Sequence, residues 1–424
     1  MTTPIPVKPG LAWPHDLRGC AQLGFDAVVA TTDIVEAMHA SIVRAPWPWQ
    51  RLKAHRTHGI TGFVYGCVRG VTRVVAESTD LTLSGLVPLV EHVVAEGEPG
   101  FARDAWVAVA NGVVGDHLQA TGNPLAQPMQ WKVGDSPVGL NNEAETRASI
   151  AKVLSALPAS RRGRLLVLMH GLCMNEREWR QRDGYDFGAD LAARLDAIPV
   201  YLRYNSGLHV STNGRQVAAQ LQLLLDAWPA PVESLHILGF SMGGLVARSA
   251  YRYAHIDSRE WPARLQTMIF VGTPHNGAPL ERGGNWFQTS AGWVPYTAPL
   301  ARLGMLRSAG ITDLRYGNLL DEDWSDGDRF ARNDDSRQPV PLPAGVRCLA
   351  VAATLGACRG DAKDRALGDG LVPVASALGE PASLGYGLQI AGNDQAVFCR
   401  TGHLGLIARH DVAPWVGRRL GCAA

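Results

Sequence analysis

The chain has no pair of cysteines at the spacing used by zinc sites or dithiol redox centres. Its seven cysteines form an odd set without any C-x-x-C pair. Such sites rely on closely spaced cysteines, so neither zinc nor redox chemistry is expected. We therefore expect no metal and no cofactor. Cys348 and Cys399 fall in predicted core strands and are expected to behave as small buried hydrophobes.

A concentrated basic surface is also missing. Lysine and arginine total 40, aspartate and glutamate total 39, and the net charge is +1. Phosphate backbones are bound by clustered basic side chains, which argues against nucleic acid as a partner. The short basic cluster Arg161 to Arg164 is interpreted as a solvated loop before a strand.

The first ten residues lack the apolar segment that directs secretion, so a cytoplasmic protein is expected. The composition, 46% hydrophobic and 19% charged, is that of a globular protein with a sizeable core. A length of 424 residues exceeds one average domain. We expect one catalytic domain with an N-terminal extension.

What the sequence does contain is a serine at a strand-to-helix junction. Residues 237–245 read ILGFSMGGL, a buried strand that breaks into a helix through glycines. G-x-S-x-G at such a junction is a nucleophile elbow, in which the serine occupies a sharp, strained turn. Side chains at Gly239 and Gly243 would collide with the neighbouring strand and helix, and glycine removes both collisions. Ser241 is the predicted nucleophile.

Other strand-end motifs surround this serine in chain order. The apolar run 165–169 ends at HGL, and there the backbone N–H of Leu172 is expected to form half of an oxyanion hole. The N–H of Met242 is expected to form the other half. The motifs are HGL at 170–172, GTPHNGAPLE at 272–281, GDGLVP at 368–373 and GHL at 402–404.

The order serine, acid, histidine predicts a triad of Ser241, Asp369 and His403. In this triad His403 is the general base and Asp369 orients its imidazole. Asp361 and Asp364 are alternatives for the acid, but Asp369 alone has a glycine on each side and a following Leu-Val-Pro.

Three other histidines compete for the role of base. His170 precedes the glycine of the expected oxyanion loop and is predicted to order that loop by hydrogen bonding. His275 comes too early in the chain for the base. His410 lies one to two helical turns beyond His403.

Together these motifs resemble the bacterial lipase and esterase branch of the α/β-hydrolases, including relatives of GPI inositol-deacylases. The resemblance covers roughly Arg164 to the C-terminus. It implies a doubly wound, mostly parallel sheet, carboxylic-ester hydrolysis, oxyanion amides at Leu172 and Met242, and a mobile insert over the site.

Residues 1–125 read as a helical extension, with helices expected near 26–43, 59–76, 81–95 and 101–120. Gly62, Gly66 and Gly70 recur every four residues, a stripe that lets helices approach closely. Soluble helix packing is the favoured interpretation. Peripheral membrane contact through these helices is the alternative.

The remaining boundaries follow from turn-rich segments. Residues 126–163 are interpreted as a linker and lead-in, and 164–424 as the catalytic domain with a lid insert at about 283–343. Trp286, Trp293 and Leu303 are candidate substrate contacts, although a packed subdomain without substrate contact remains open. The acidic stretch 321–328 fails the EF-hand spacing and is interpreted as a solvated loop.

The sequence therefore predicts a serine hydrolase acting on medium or long acyl esters through an acyl-enzyme. Thioester hydrolysis, acyl transfer and polyester depolymerisation use the same machinery and stay open. A catalytically silent lipid-binding scaffold is the alternative from another class.

Overall fold

A computed structural model describes residues 14–44, 57, 59–91, 101–140, 142–158, 161–278, 307–325, 327–330, 335, 337–381 and 387–421. The chain divides into two compact units. The first comprises residues 1–127, 283–307 and 330–332, and the second comprises residues 128–282, 308–329 and 333–424. We call the first the helical unit and the second the sheet unit.

The helical unit contains α1 (Pro14–Arg44), α2 (Gly59–Glu91) and α3 (Phe101–Ala120). Helices were expected in all three regions, but α2 is continuous where two separate helices were predicted. The glycine stripe on α2 does not bring two helices together as expected. A Cβ added at Gly66 or Gly70 would meet nothing within 4 Å.

The sheet unit is built on eight strands in the order β2-β1-β4-β3-β5-β6-β7-β8. From β4 through β8 each neighbouring pair is parallel, whereas β1 pairs antiparallel with both β2 and β4. This confirms the expected mostly parallel α/β sheet. The strands are β1 (Gln130–Val133), β2 (Ser136–Val138), β3 (Arg164–Met169), β4 (Ile198–Arg203), β5 (Ser234–Phe240), β6 (Leu265–Val271), β7 (Arg347–Thr354) and β8 (Gln395–Cys399).

The hairpin formed by β1 and β2 was not expected. It lies in the segment 126–163 that the sequence analysis treats as a linker and lead-in. Because β1 is hydrogen-bonded along β4, this part of the chain is an integral piece of the sheet.

Helices cover both faces of the sheet. Successive residues of a strand point to opposite sides, so Leu165 and Val167 enter one core cluster and Leu166 and Leu168 the other. The first cluster contains α4 (Glu143–Ser155), α6 (Val210–Asp226) and α7 (Met242–Ile256). The second contains α5 (Phe187–Arg194) and the helix Val412–Arg419. Shorter helices lie at Ala309–Asp313, Ala362–Leu367, Val374–Ala377 and Gly405–Ala408.

The second half of the predicted lid packs into the sheet unit. Leu319, Leu320 and Val340 are buried members of its core. The Asp313 carboxylate accepts the backbone N–H of Val210 at 2.8 Å, at the start of α6. This half of the insert is therefore held in place by the sheet and its helices.

The acidic stretch 321–328 also differs from a plain solvated loop. Asp321 forms an ion pair of 2.6 Å with Arg215. Asp323 accepts the backbone N–H groups of Leu319 and Leu320 at 2.8 and 3.0 Å. These carboxylates fix the local backbone, which explains their spacing without a bound ion.

In the part of the chain that the structure describes, none of the helices combines the length and apolarity needed to cross a bilayer.

Candidate active site

Ser241 lies at the junction of β5 and α7 with a strained backbone. Its φ and ψ are 53° and −125°, in a region that residues with side chains rarely occupy. A Cβ on Gly239 would lie 2.3 Å from Gly244 N, and one on Gly243 would lie 2.2 Å from Met169 O. Both distances are far below contact, so the collisions predicted from the sequence are confirmed.

His403 and Asp369 form a buried pair. His403 Nδ1 lies 2.7 Å from Asp369 Oδ2, and the two residues are 6% and 2% exposed. The other carboxylate oxygen, Oδ1, accepts the backbone N–H groups of Leu371 and Val372 at 2.9 and 2.7 Å. With both oxygens engaged, the carboxylate can hold only one orientation of the imidazole.

The glycines beside Asp369 explain why this turn is possible. Gly368 and Gly370 have φ of 54° and 99°, in the left-handed region that favours glycine. A Cβ on Gly368 would lie 2.4 Å from Val372 O. The motif feature that singled out Asp369 in the sequence is thus the feature that lets its carboxylate reach His403.

The imidazole and the serine lie against adjacent residues at the end of β6. The Ser241 N–H donates to Val271 O at 2.8 Å, and a Cβ on Gly272 would lie 3.0 Å from His403 Cε1. The His403 ring also lies 5.1 Å from the ring of Phe240, the residue before the serine. The structure therefore gathers the three predicted triad residues at the carboxyl ends of the parallel strands.

The segments that carry the Leu172 and Met242 amides border Ser241. A Cβ on Gly171 would lie 3.1 Å from Ser241 Cβ, so the loop carrying Leu172 runs directly beside Ser241. Met242 begins α7, where the first N–H groups have no partner inside the helix. Within the described residues, neither the Leu172 nor the Met242 N–H has a hydrogen-bond partner. Two such free N–H groups can donate hydrogen bonds to a developing oxyanion.

His170 braces the oxyanion loop. Its Nδ1 lies 2.9 Å from Gly171 O, and its Nε2 accepts the Tyr204 N–H at 3.3 Å. The Tyr204 hydroxyl donates to His170 O at 2.7 Å, and the two rings stack at 4.2 Å. Burial lowers the pKa of His170 to about 4, so the ring is neutral at physiological pH. This agrees with the predicted loop-ordering role.

The sequence analysis missed a second brace on this loop. The Cys173 N–H donates to Ser206 Oγ at 3.1 Å, and Cys173 itself has a positive φ of 60°. Tyr204 and Ser206 follow β4, over thirty residues away in the chain. Only the pairing of β3 with β4 brings them to the loop, so no local sequence signal marks them.

The competing residues are engaged elsewhere. Asp361 caps the helix Ala362–Leu367 by accepting the Asp364 N–H at 2.7 Å. Asp364 accepts the Gly360 N–H at 2.6 Å. His410 lies on the surface, 3.2 Å from Asp183. His275 is buried beside Arg248, and burial holds its pKa well below the ordinary value.

The proposed substrate contacts Trp286, Trp293 and Leu303 lie outside the described residues. Cys348 is buried in β7, and Cys399 is partly buried in β8. Burial raises the pKa of Cys348 to about 12, as expected for a small hydrophobe in a core strand. Among the described residues no group of three or more His, Cys, Asp or Glu could hold a metal ion.

Comparison with known proteins gives a match to one family model over part of the chain and several structural neighbours. Residues 136–307 match the family model of a domain of unknown function, DUF7379. A search of curated proteins finds no match.

Solved structures similar to this chain include lipases and esterases. The mature lipase BlEst2 of Bacillus licheniformis is 16% identical, with a TM-score of 0.39, and the match covers 63% of this chain and 94% of the lipase. An esterase of Pyrobaculum calidifontis is 13% identical, with a TM-score of 0.33, over 63% of this chain and 79% of the esterase. A lipase-esterase related protein of Clostridium acetobutylicum is 9% identical, with a TM-score of 0.33, over 70% and 99%. Similarity at this level carries no argument about activity, which has to rest on the site.

Proposed function

We propose that this protein is a serine hydrolase that cleaves carboxylic esters through an acyl-enzyme. The observation that carries the proposal is the buried His403–Asp369 pair beside the strained Ser241 at one edge of the sheet. A strained serine costs folding free energy, and a buried carboxylate costs desolvation. Both costs are understandable where a nucleophile and its base must meet.

The reaction follows from the geometry. His403 Nε2 takes the Ser241 proton while the Oγ attacks the ester carbonyl carbon, and the carbonyl oxygen becomes an oxyanion facing the Leu172 and Met242 amides. Collapse of this intermediate breaks the bond to the alcohol oxygen, which receives the proton from His403. Water then repeats the sequence on the acyl-enzyme and releases the acid. Asp369 keeps the Nδ1 proton in place and stabilises the imidazolium in both steps.

The oxyanion amides are expected to make a large contribution. Removal of one such donor in other enzymes costs about 10²–10³ in turnover. The braces from His170 and Ser206 hold the Leu172 loop, so the donors need no rearrangement as charge develops. Donors that are fixed in advance stabilise charge that develops only in the transition state. They therefore lower the barrier, whereas interactions made equally with the bound substrate do not.

The acyl portion of the substrate is proposed to be medium or long. The support is the apolar sequence around Trp286, Trp293 and Leu303, which follows the strand end next to Ser241. Each buried CH₂ would add up to ~0.8 kcal/mol of binding until the pocket is full. Specificity constants for a series of p-nitrophenyl esters from acetyl to palmitoyl measure this directly, and an acetyl preference would assign a small-ester hydrolase.

Rival functions are separated by the acyl acceptor and by labelling. A thioesterase, an acyltransferase and a polyester depolymerase would share the acyl-enzyme and differ in leaving group or acceptor. A scaffold would form no acyl-enzyme at all.

The test is covalent labelling by a fluorophosphonate probe. Wild type should be labelled and Ser241→Ala should not, because the probe reacts only with an activated serine. Ser155→Ala is the matched control, since Ser155 is an exposed serine at the end of α4. Equal labelling of the wild type and Ser241→Ala would contradict the assignment, and an unlabelled but folded wild type would favour the scaffold.

A further inference from the structure

The exposed hydrophobic side chains are concentrated in the helical unit. Twelve of the seventeen large hydrophobic side chains exposed in the described residues lie on α1, α2 and α3. Surfaces of this kind usually mark a binding function, because isolated apolar residues are common but clustered ones are not. Half of the twelve lie on α2 alone. The six on α2 are Phe63, Val64, Val68, Val71, Val74 and Val75.

These six residues share one side of α2. At 3.6 residues per turn they fall, with Cys67 and Ser78, within an arc of about 140°, which we call the apolar arc. No charged residue of the stretch 63–80 falls within it. Phe63, Val71 and Val74 are 71%, 64% and 62% exposed. From Phe63 to Val75 the arc is about 18 Å long at 1.5 Å per residue.

Two charged residues of α2, Arg69 and Asp80, pair with side chains of α1. Arg69 of α2 pairs with Asp33 of α1 at 3.0 Å and also with Glu36, and both Arg69 and Glu36 are buried. Asp80 accepts two hydrogen bonds from Arg18, at 2.6 and 2.8 Å. The ion pairs thus lie between α1 and α2, while the apolar arc is exposed. A helix pair surrounded by water has the opposite arrangement, with apolar side chains between the helices and charged ones exposed.

Four hydroxyl groups of the two helices are hydrogen-bonded within their own helix. Thr31, Thr32 and Thr72 each donate to the carbonyl four residues earlier at 2.8 Å. Ser78, the one hydroxyl within the apolar arc, donates to Val74 O at 2.7 Å. A side chain that returns its proton to its own helix needs no partner from solvent.

We propose that the apolar arc of α2 docks on a lipid bilayer surface, with α2 lying along the membrane plane. A protein partner would require polar groups as well as apolar ones, because protein interfaces carry about one hydrogen bond per 100–200 Å². The arc presents no charge, and its hydroxyl is already bonded. A helix at a bilayer surface buries an apolar face of this kind in the lipid and keeps its charged side turned away from the hydrocarbon.

The proposal goes beyond ester hydrolysis and does not depend on it. It concerns where the protein resides, and its test is binding to lipid rather than turnover. If both proposals hold, the chain is a hydrolase brought to a lipid phase. Loss of labelling at Ser241 and loss of vesicle binding are separate results, so either proposal can fail alone.

The first experiment is flotation of the full chain with phosphatidylcholine vesicles in 0.15 M and 1 M salt. Wild type should float with the vesicles at both salt concentrations, because the arc has no charge to be screened. Val71→Glu with Val74→Glu should lower the partition coefficient at least about tenfold, since two valines that insert into the lipid in the docked state are replaced by charges. The matched control is Leu223→Glu with Ile256→Glu, two hydrophobic residues of similar exposure in the sheet unit, and it should float like wild type.

The second experiment leaves the valines intact. Cys67 is exposed and lies within the arc, whereas Cys358 is exposed in the sheet unit. With Cys422→Ser in both proteins, an environment-sensitive fluorophore is placed on Cys67 in a Cys358→Ser background, or on Cys358 in a Cys67→Ser background. Vesicles should shift the emission of the Cys67 label to shorter wavelength and leave the Cys358 label unchanged.

Three outcomes would overturn the proposal. They are a wild type that does not float, an arc variant that floats like its control, and a Cys67 label that does not respond. If ultracentrifugation instead shows a wild-type dimer that the arc variant dissociates, without vesicle binding, the arc belongs to a second copy of this chain.

Discussion

At the scale of single residues, the site depends on glycines at positions where a Cβ would collide with neighbouring backbone. Gly239 and Gly243 leave room for the turn that presents Ser241, and Gly368 leaves room for the turn that presents Asp369. These are steric requirements of the backbone, which any sequence forming this turn has to meet. For this reason a motif with glycines at fixed offsets predicts the nucleophile and the acid.

The pairing of His403 with Asp369 predicts that their losses do not add. Asp369→Asn and His403→Ala should each lower turnover by at least about a hundredfold, within the range for general-base catalysis. The double variant should be about as slow as the worse single variant, because neither group acts without the other. Initial rates on a p-nitrophenyl ester measure all three.

The matched control for this cycle is Asp364→Asn. Asp364 is a nearby carboxylate bonded to the Gly360 N–H and carries no contact to His403 in the described structure. It should keep most of the activity. A damaging Asp364→Asn together with a mild Asp369→Asn would mean that the acid has been misassigned.

At the scale of secondary structure, the elements that could be predicted are those with a signal in the local sequence. The strands around Ser241 and the helix after it were predicted because apolar runs, glycines and helical periodicity occur within a few residues of one another. The β1–β2 hairpin was missed because four- and three-residue strands have little periodicity, and β1 becomes a strand by pairing with β4. The break expected within α2 near Asp80 is likewise absent, because the partner of Asp80 is Arg18 on α1.

The same reasoning applies to the supports of the site. The proposed triad was predicted from motif order, whereas the hydrogen bond from Cys173 to Ser206 could not be predicted, since it arises only when β3 and β4 pair. The sequence also gave no reason to place Leu319 and Val340 of the predicted lid in the core of the sheet unit. Contacts between distant segments are what a single sequence lacks.

The β1–β2 hairpin predicts where the chain can be shortened. A chain beginning at Pro128 keeps β1 on β4 and should retain fluorophosphonate labelling at Ser241. A chain beginning at Asn142 lacks β1 and therefore leaves the edge of β4 unpaired. It also exposes the core side chains that Trp131 covers, so it should aggregate or lose labelling. Labelling of the soluble fraction after matched expression compares the two.

Equal solubility and labelling of the two shortened chains would show that the hairpin is dispensable. An unlabelled but soluble and folded chain from Pro128 would show that the helical unit is needed for the reaction, contrary to the present assignment of all reacting groups to the sheet unit.

At the scale of the whole molecule, buried titratable groups set how stability depends on pH. Burial lowers the pKa of His170 and of His236 to about 4. Between about pH 6.5 and 4 the unfolded chain takes up protons that the folded chain does not, so stability falls as the pH falls. Burial and the neighbouring charge of Glu176 raise the pKa of Glu178 to about 7. This has the opposite effect: the stability due to protonated Glu178 is lost as the pH rises from about 4.5 to 7.

Glu178→Gln therefore has a predicted pH signature. The glutamine has no proton to lose, so the melting temperature of the variant relative to wild type should rise between pH 5 and pH 7.5. Glu145→Gln, at an exposed position of α4, is the control and should show no such trend. Melting curves across this range measure the difference, and parallel curves for Glu178→Gln and wild type would contradict it.

The position of β8 has a consequence for the lifetime of the assembled site. Ser241 follows β5, a strand with parallel neighbours on both sides, whereas His403 follows β8, which within the described residues pairs with β7 alone. Boundary strands exchange their amide protons before interior ones do, since fewer hydrogen bonds must open. Transient opening of β8 would displace His403 while the turn at Ser241 stays formed. The protein would then pass through an inactive but still largely folded state below its melting temperature.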